Sequence, residues 1–418
     1  MKLFVTILEE TCDAAIAAIR ALRAEHDGVE VRAERFPSID LQAIRAATEK
    51  PLILTYRGSR APGVRLALEA GIDFVDVEWH DGVEVEVPGR TVLSHHDYEG
   101  MHDVDRIYER MLSRGCAYTK LAATPFTFEE NLRLLSLLPG TVIGMGERGL
   151  YSRILAPFKG AELAFVAATH VAAPGQLTLE RALDIYGRGP LRAERVFAVV
   201  GNPAGHSLSP SIHNRLFREK GVPAAYTIAS VERFSEVAEA FRSGEPCGLS
   251  VTTPFKDDAY NFARALNADF GDNAARARAV NTLVNIDGRI LADNTDVDGF
   301  AALLPQAAKA AILGAGGTAR AARVACENAG IESTIYNRTA AKGDAPLEAL
   351  AGFDGDLIIN TLPSGVHLPI PACRTYIEAA YGAETRTVDA QQRIGGLELL
   401  HAQAVRQHEL FMKVFHGL

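Results

Sequence analysis

The 418-residue chain has few cysteines, and they follow no pairing pattern. No two of the five have the Cys-x-x-Cys spacing, and they lie far apart along the sequence. An odd and scattered set of this kind indicates neither a disulfide framework nor a zinc site, and it favours a reducing compartment. The five residues are Cys12, Cys116, Cys247, Cys326 and Cys373.

The chain also lacks an apolar run long enough to cross a membrane, and residues 1–5 lead straight into a strand-like pattern without a secretory signal. It has no excess of positive charge, because its formal net charge at pH 7 is -9. This balance argues against general binding to nucleic acids or anionic membranes, but it permits local cationic pockets for small anions. We therefore predict a cytoplasmic protein with small-molecule partners, and the sequence leaves its oligomeric state open.

A regular alternation of strand-like and helix-like patterns fills the first part of the chain. Eight short β-rich runs alternate with helical patterns, which is typical of a parallel (β/α)8 barrel, here more compact than the usual ~250 residues. A turn-rich break at residues 187–190 ends this pattern, so the first domain is predicted to cover residues 1–190. The predicted strands are residues 3–7, 29–33, 52–56, 74–77, 91–94, 117–122, 142–145 and 163–167.

Polar residues interrupt the carboxyl ends of several predicted barrel strands, where the catalytic groups of such barrels lie. Lys120 differs from the others because it stands in the middle of an apolar run, residues 116–123. An unpaired ammonium is costly to bury, so such a lysine is expected to lose its proton and to act as a nucleophile. The interrupting residues are Glu30, Arg32, Arg57, His95, His96, Asp97, Lys120 and Arg153.

Four segments of this region resemble type I 3-dehydroquinate dehydratases in order, spacing and residue type: residues 94–98, the strand with Lys120, residues 144–153 and residues 172–176. The resemblance implies that Lys120 forms an imine with the substrate ketone and that His96 transfers the proton. It also implies that the substrate carboxylate and hydroxyls contact Glu30, Arg32, Arg57, Arg153 and Gln176. Ala172 stands where the family has serine, so the loss of one substrate contact is predicted.

A second α/β region begins with a predicted strand at residues 195–200, and it contains a glycine-rich turn between an apolar strand and an alanine-rich helix. The turn fits Gly-x-Gly-x-x-(Gly/Ala), which lets a backbone approach a pyrophosphate at a helix N-terminus. The next predicted strand ends without the carboxylate that binds the ribose hydroxyls of NAD, whereas Arg338 suits a 2'-phosphate, so we predict NADP. The predicted cofactor-binding residues are Gly314, Ala315, Gly316, Gly317, Thr318, Ala319, Asn337, Arg338 and Thr339.

From residue 195 onward the chain resembles shikimate dehydrogenase, through residues 201–214, 250–256, 279–282 and 293–296 together with the glycine-rich turn. The resemblance implies a substrate-binding lobe of residues 195–298 and 397–418, and a Rossmann lobe of residues 299–396. It also implies that Lys256 and Asp296 form the catalytic pair. The implied substrate contacts are Ser207, Ser209, Thr252, Asn281 and Gln403.

This region departs from the family pattern in two places. Ser250 stands where the family commonly has asparagine, which predicts an altered turn before Lys256. Residues 387–396 are too few for the usual tyrosine-bearing loop before the closing helix, which predicts weaker framing of the nicotinamide and substrate. A further prediction is that Ser209 caps a helix that Pro210 opens.

Together the two resemblances predict a fused enzyme. Its barrel dehydrates 3-dehydroquinate to 3-dehydroshikimate, and its second region reduces that product to shikimate with NADPH. Three alternatives stay open: the barrel could be another imine-forming lyase or an aldolase, the second region could act on quinate, or one half could bind ligand or NADP without catalysis. No metal is predicted.

Overall fold

The computed structural model describes residues 1–57, 63–168, 174–363, 365–366, 368–381 and 388–416. The chain separates into two compact units. The first contains Met1–Glu194 and Phe217–Val231, and the second contains Arg195–Leu216 and Glu232–Leu418.

The short segment Phe217–Val231 belongs to the first unit, although the sequence analysis placed it in the second domain. Its hydrogen bonds give the reason. Thr227 Oγ1 donates to the carbonyl of Tyr151 at 3.0 Å, and Ser230 Oγ lies 2.9 Å from a carboxylate oxygen of Glu147. Such contacts join residues about 80 positions apart, so local sequence patterns carry no sign of them.

An eight-stranded parallel sheet forms the core of the first unit within the described residues. Neighbouring strands pair in the order β7-β6-β5-β4-β3-β2-β1-β8. The two ends of the sheet are joined by bonds from Glu162 N to Gly140 O (3.0 Å) and from Leu163 N to Thr141 Oγ1 (3.2 Å), which nearly closes the barrel. The strands are β1 Lys2–Ile7, β2 Gly28–Arg32, β3 Leu52–Thr55, β4 Phe74–Glu78, β5 Thr91–Asp97, β6 Tyr118–Ala123, β7 Thr141–Gly144 and β8 Leu163–Ala167.

The barrel helices are short, which explains how a (β/α)8 barrel fits into fewer than 200 residues. Threonine side chains start several of them by accepting a backbone N–H. Thr127, for example, forms a capping box with Glu130 at the start of α5. The predicted barrel is therefore confirmed, and the helices are α1 Cys12–Ala21, α2 Leu41–Arg45, α3 Val64–Glu69, α4 Val104–Leu112, α5 Phe128–Ser136, α6 Leu150–Leu155 and α7 Leu179–Tyr186.

The next elements are β9 Arg195–Gly201, α8 Ser209–Lys220, β10 Ala224–Ser230, α9 Ser235–Arg242, β11 Gly248–Val251, α10 Lys256–Ala265, β12 Asp269–Phe270, α11 Asp272–Ala277, β13 Thr282–Ile286 and β14 Arg289–Asp293. Within the second unit, strands pair in the order β9-β11-β13-β14-β12. The β9-β11 pair is parallel, whereas β13 runs antiparallel to both β11 and β14. The carboxyl end of β11 and the start of β13 therefore meet at one edge of the sheet.

The last part of the chain forms a doubly wound parallel sheet of order β17-β16-β15-β18-β19-β20. This is the Rossmann strand order. The chain adds strands to one side of β15 and then, from β18 onward, to the other side, so the predicted fold is confirmed. The segment before Gly396 contains β20 as the sixth strand of this sheet, while Thr387 lies outside the described residues. The elements are α12 Asp296–Ala301, β15 Lys309–Leu313, α13 Gly317–Asn328, β16 Glu332–Asn337, β17 Ala345–Pro346, β18 Leu357–Asn360, β19 Cys373–Glu378, β20 Ala390–Ile394 and α14 Gly396–His416.

The longest described helix, α14, has 21 residues. Among the described residues, no helix combines the length and the apolar character that a membrane span requires. Two buried glutamines, Gln403 and Gln407, lie on α14, so this helix brings polar groups into the core of the second unit.

Candidate functional site

Lys120 lies inside the barrel beside two carboxylates. It is 5% exposed, and its Nζ lies 3.2 Å from Glu30 Oε1 and 3.3 Å from Asp76 Oδ2. The ring of Phe165 packs against the amine, with its centroid 4.1 Å from Nζ. The premise that this lysine is buried without a partner is therefore wrong, because two carboxylates lie within hydrogen-bond distance of its amine. Burial alone therefore does not account for a reactive amine.

Glu30 is held from two further sides by threonines. Thr6 Oγ1 donates to its Oε2 at 2.7 Å, and Thr55 Oγ1 donates to its Oε1 at 2.9 Å. Burial raises the pKa of Glu30, but Lys120 and then Arg32 more than offset this, so the pKa lies below its ordinary value. The carboxylate is thus charged and fixed in place.

Gln176 approaches the same cluster from the segment after β8. Its Nε2 lies 3.4 Å from Thr6 Oγ1, the hydroxyl that donates to Glu30. The structure therefore brings Glu30 and Gln176 close to Lys120. Ala172, the predicted lost contact, lies outside the described residues.

Strand β4 supplies two carboxylates that the sequence analysis missed. Arg57 Nη1 lies 2.8 Å from both Asp76 Oδ1 and Glu78 Oε2, and Ser94 Oγ donates to Asp76 at 2.6 Å. Burial raises the pKa of Asp76, but Lys120 and Arg57 outweigh burial and hold it well below its ordinary value. Glu78 ends β4, so the rule that selected candidates at the carboxyl ends of barrel strands would have found it, whereas Asp76 lies in the middle of the strand.

Glu78 also fixes the tautomer of His96. The Nδ1 atom of His96 lies 2.8 Å from Glu78 Oε2, and the backbone N–H of His96 donates to Oε1 at 2.9 Å. A carboxylate only accepts, so Nδ1 carries the hydrogen and Nε2 keeps its lone pair. Burial lowers the pKa of His96, and the bond to Glu78 opposes this without cancelling it. His96 is therefore neutral near pH 7 and able to take a proton.

The remaining predicted substrate-binding arginines have different surroundings. Arg32 forms an ion pair with Glu34 at 2.5 Å, and both side chains are partly buried. Arg153, on α6, lies beside Tyr186 in a small cavity that Val142 and Phe165 also line. Burial lowers the pKa of Arg153 to about 10. Within the described residues Arg153 makes no contact with Lys120, so its role in binding a substrate carboxylate stays a prediction.

In the second unit, Lys256 and Asp296 lie at the first positions of α10 and α12 and contact each other directly. Lys256 Nζ is 2.5 Å from Asp296 Oδ2, and the two side chains are 13% and 11% exposed. The same Nζ lies 2.8 Å from Thr318 Oγ1, which belongs to the glycine-rich turn. The turn is close enough that a side chain added at Gly317 would lie 3.1 Å from the Cβ and Cδ atoms of Lys256. The structure thus joins the predicted catalytic pair to the predicted cofactor site.

Asn281 connects this pair to its surroundings. Its Nδ2 donates to Asp296 Oδ1 at 2.8 Å and to Thr295 Oγ1 at 3.1 Å. Its Oδ1 accepts the hydroxyl of Thr282 and the backbone N–H of Thr295, both at 2.8 Å. Gln403 accepts from Thr295 Oγ1 at 3.0 Å. Asn281 therefore contacts Asp296, and Gln403 contacts the neighbouring Thr295, while their roles as substrate contacts stay predictions.

The two predicted serines are buried at the start of α8. Ser207 is 4% and Ser209 is 5% exposed. The helix begins at Ser209, and the backbone N–H of Ser209 donates to Ser207 Oγ at 3.3 Å. Ser207 Oγ therefore accepts one backbone N–H at the start of this helix, and the cap at Ser209 stays a prediction. Thr252 follows β11, and its methyl group packs against Gly201.

The glycine-rich turn has the shape of a phosphate cradle. Gly314 has φ +102, and a side chain there would lie 2.7 Å from Thr361 Oγ1. A side chain added at Gly316 would meet no atom within 4 Å, so the space beside the turn is open. Helix α13 begins at Gly317, so its N-terminal N–H groups face this space. At the end of β16, Arg338 is exposed next to Asn337. The turn and the start of α13 fit the pyrophosphate of a dinucleotide.

A tyrosine packs against helices α8 and α14, although the segment before α14 is short. Tyr381 packs against Ile212, Leu400 and Ala404, and its ring centroid lies 6.3 Å from that of His206. It is the last described residue before position 388. The tyrosine-bearing loop was predicted to be missing from residues 387–396, and Tyr381 lies before that segment.

No group of three or more His, Cys, Asp or Glu side chains that could hold a metal ion occurs in the part of the chain that the structure describes. The barrel site contains a lysine, a histidine and carboxylates, and the second site contains a lysine and a carboxylate. Proton transfer and amine chemistry are the reactions that such groups support.

Two protein-family models match the chain. The model for type I 3-dehydroquinase matches residues 3–188, and the model for the shikimate dehydrogenase substrate-binding domain matches residues 199–283. The first covers the strands that carry Lys120 and His96, and the second includes Lys256 and Asn281.

Curated relatives carry both parts in one chain. The bifunctional 3-dehydroquinate dehydratase/shikimate dehydrogenase, chloroplastic, of Arabidopsis thaliana is 27% identical over 92% of this chain and 77% of its own. The shikimate biosynthesis protein AroDE of Chlamydia pneumoniae is 30% identical over 86% of this chain and 83% of its own.

Among solved structures, the dehydroquinate dehydratase and shikimate dehydrogenase part of AroM from S. pombe covers 98% of this chain and 95% of that chain, at 23% identity and a TM-score of 0.42. Shikimate 5-dehydrogenase from Thermus thermophilus, solved with NADP(H) and shikimate, covers 54% of this chain and 94% of that chain, at 26% identity and a TM-score of 0.44. The identity to AroDE over most of both chains decides the assignment: this chain belongs to the family of bifunctional 3-dehydroquinate dehydratase/shikimate dehydrogenases.

Proposed function

We propose that this chain is a bifunctional enzyme of the shikimate pathway. Its first unit dehydrates 3-dehydroquinate to 3-dehydroshikimate, and its second unit reduces 3-dehydroshikimate to shikimate with NADPH. The observation that carries the proposal is the pair of lysine sites, the buried Lys120 with Glu30 and Asp76, and the partly buried Lys256 with Asp296. The first product is the second substrate, which gives a chemical reason for the fusion.

In the barrel, Lys120 Nζ attacks the ketone carbon and water leaves as the imine forms. His96 Nε2 then takes the proton from the adjacent carbon, and the electron pair moves into the imine to give an enamine. The enamine expels the C1 hydroxyl, which leaves as water with the proton from His96. Hydrolysis of the product imine consumes one water, so the net reaction is the loss of one water. Glu30 and Asp76 stabilise the positive charge of the protonated imine.

In the second unit, NADPH supplies the hydride when it is bound. The carbonyl oxygen that receives the hydride needs a proton, and Lys256 Nζ is positioned to donate one. Asp296 holds this amine in place through the 2.5 Å contact. Ser207, Ser209, Thr252, Asn281 and Gln403 are proposed to bind the cyclohexene acid.

Two assays test the proposal directly. Borohydride added with 3-dehydroquinate should trap a covalent adduct on Lys120, which mass spectrometry of the digested protein detects. NADPH oxidation should follow addition of 3-dehydroshikimate. A chain that gives neither an adduct nor oxidation is a binding protein, and the proposal is then wrong.

The acid side of the pH profile for dehydration should report His96. Protonated His96 cannot take the substrate proton, and burial lowers the pKa of His96, so we expect kcat/KM to fall at a pH below about 6.5, the ordinary pKa of histidine. The hydrogen bond to Glu78 opposes the effect of burial and raises the pKa of His96. Glu78→Gln should therefore move this fall to a lower pH, as kcat/KM measured between pH 4 and 8 would reveal. A profile that Glu78→Gln leaves unchanged would argue against His96 as the base.

The proposed cofactor is NADP, supported by the open cradle at Gly314–Gly317 and by the exposed Arg338. We expect Arg338→Ala to raise the KM for NADPH about 10-fold to 100-fold, as for loss of a charged hydrogen bond, with little effect on NADH. Arg374→Ala, also exposed but on β19, is the matched control and should change neither value. Equal turnover with NADH and NADPH in the unchanged chain would refute the preference.

A cytoplasmic location is proposed on the grounds of cysteine chemistry. All five cysteines are free, including the buried Cys247 and Cys326. Burial raises the pKa of both thiols to about 12, so neither is readily oxidised. The proposed partners are the three pathway metabolites rather than nucleic acid or a membrane.

A further inference from the structure

Gln407 lies on α14 one helical turn after Gln403 and is 1% exposed. Residues four positions apart share a helix face. Gln407 contacts Ser250 on β11 and Thr282 on β13, whereas Gln403 contacts Thr295 just before α12. Gln403 has a role in the proposed function, whereas Gln407 has none. A polar group in the core is costly unless it is hydrogen-bonded, so the hydrogen bonds of Gln407 should explain why it is buried.

Every hydrogen-bonding position of the Gln407 amide is occupied. Its Oε1 accepts from Ser250 Oγ at 2.6 Å and lies 3.2 Å from His213 Nε2. Its Nε2 donates to Thr282 Oγ1 at 2.8 Å and to the carbonyl of Asn281 at 3.2 Å. Two donor hydrogens and two acceptor positions are all that an amide has. Burial lowers the pKa of His213 to about 3, so this histidine is neutral and presents an N–H to Gln407.

The hydroxyl of Thr282 passes this orientation on to Asn281. Thr282 Oγ1 accepts a hydrogen from Gln407, so its own hydrogen is free to donate to Asn281 Oδ1 at 2.8 Å. Because Oδ1 faces Thr282, Nδ2 of Asn281 faces the opposite side and donates to Asp296 Oδ1 at 2.8 Å. Gln407 therefore supports the orientation of the Asn281 amide together with the backbone N–H of Thr295, which donates to the same Oδ1 at 2.8 Å, and Asn281 bonds the carboxylate that holds Lys256.

We infer that Gln407 is a positioning residue of the reductase site, acting through Thr282 and Asn281 to hold Asp296 against Lys256. It forms one polar unit with Ser250. Serine is short enough to leave room for the Gln407 amide, whereas a longer side chain at position 250 would displace it. The inference rests on the proposed catalytic roles of Lys256 and Asp296.

The variant Gln407→Met tests this, because methionine keeps the length of the side chain and removes its hydrogen bonds. We expect kcat for 3-dehydroshikimate reduction to fall about 10-fold to 100-fold, as for loss of a buried hydrogen-bond network. The KM for NADPH should stay the same, because Gln407 touches no residue of the glycine-rich turn. Dehydration by the first unit of the same chain should also stay the same. Val405→Met, 58% exposed on the same helix, is the matched control and should change neither activity.

A double-mutant cycle tests whether Ser250 and Gln407 act together. Ser250→Asn places an amide at position 250, and Gln407→Ala makes room for it. The double variant should recover most of the kcat that Gln407→Ala loses, so the two effects should be strongly non-additive. Additive losses would overturn the coupling to Ser250.

Three results separate failure of this inference from failure of the proposed function. Unchanged kcat in Gln407→Met, with reduction abolished in Lys256→Met, would overturn the inference alone. An equal loss of dehydration and reduction in Gln407→Met would also overturn it, since the effect would then be on folding. Retained reduction in Lys256→Met would refute the catalytic pair itself.

Discussion

Replacing Lys120 with methionine is expected to lower the dehydration of 3-dehydroquinate by about 10⁴-fold or more, the effect of removing a covalent nucleophile. Methionine matches the length of the lysine stem but has no amine, so no imine forms. The reduction of added 3-dehydroshikimate by NADPH should continue at the normal rate, because Lys120 lies in the first unit. The absorbance of 3-dehydroshikimate and the oxidation of NADPH measure the two reactions separately.

The matched control is Lys2→Met. Lys2 also lies on a barrel strand, but at the amino end of β1, where its Nζ donates to Tyr118 Oη at 2.9 Å. Catalytic groups of such barrels lie at the opposite end. Lys2→Met should therefore keep full dehydration activity. Dehydration that survives in Lys120→Met would contradict the imine mechanism.

The variant Lys256→Met is expected to lower the reduction of 3-dehydroshikimate by about 10³-fold, in the range for loss of a general acid. Asp296→Asn should cause a smaller loss, about 10²-fold, because the amine remains but loses its charged partner. Both variants should leave dehydration unchanged. Steady-state rates of NADPH oxidation at saturating substrate give the comparison.

Lys309→Met is the control for this pair. Lys309 also faces an aspartate, Asp354, at 3.4 Å, but the lysine is 51% exposed at the start of β15. Exposed ion pairs of this kind contribute roughly 0–1 kcal/mol to stability. Reduction should therefore proceed normally in Lys309→Met. Similar losses in Lys309→Met and Lys256→Met would indicate a general effect of removing charge rather than loss of the proton donor.

Features that depend on neighbouring residues could be predicted from the sequence. The alternation of strand and helix predicted the barrel, and the glycine-rich turn predicted the Rossmann lobe, because both depend on local spacing. Lys120 and Lys256 were identified for a related reason, since each stands in a motif of a few residues. The structure brings both lysines next to carboxylates.

Contacts between distant residues were not readable in this way. Asp76 is 44 positions from Lys120, and Gln407 is 157 positions from Ser250. Asp76 lies on a strand that was predicted, yet only the closed barrel brings it to the lysine. The prediction that Lys120 has no charged partner was wrong for this reason. The apolar residues around Lys120 predict its burial, but they do not reveal a carboxylate on another strand.

The departure at Ser250 illustrates the same limit. The sequence showed a missing amide at this position and predicted an altered turn. The structure shows an amide from α14 bonded to the serine hydroxyl, in a network that reaches Asp296. Ser250 lacks the amide that the motif commonly has, but its hydroxyl bonds the amide of Gln407. Gln407 lies too far along the sequence for a comparison of the motif alone to reveal it.

The close packing of Gly317 on Lys256 restricts how this protein can be engineered. The backbone that would carry the pyrophosphate also forms one wall of the space around the lysine stem, so changes in the turn alter two properties at once. Any attempt to retune the cofactor preference should leave the turn intact and vary Arg338, which is exposed at the end of β16. Directed-evolution libraries that randomise positions 314–319 should therefore yield few active clones, whereas libraries at positions 337–339 should yield many.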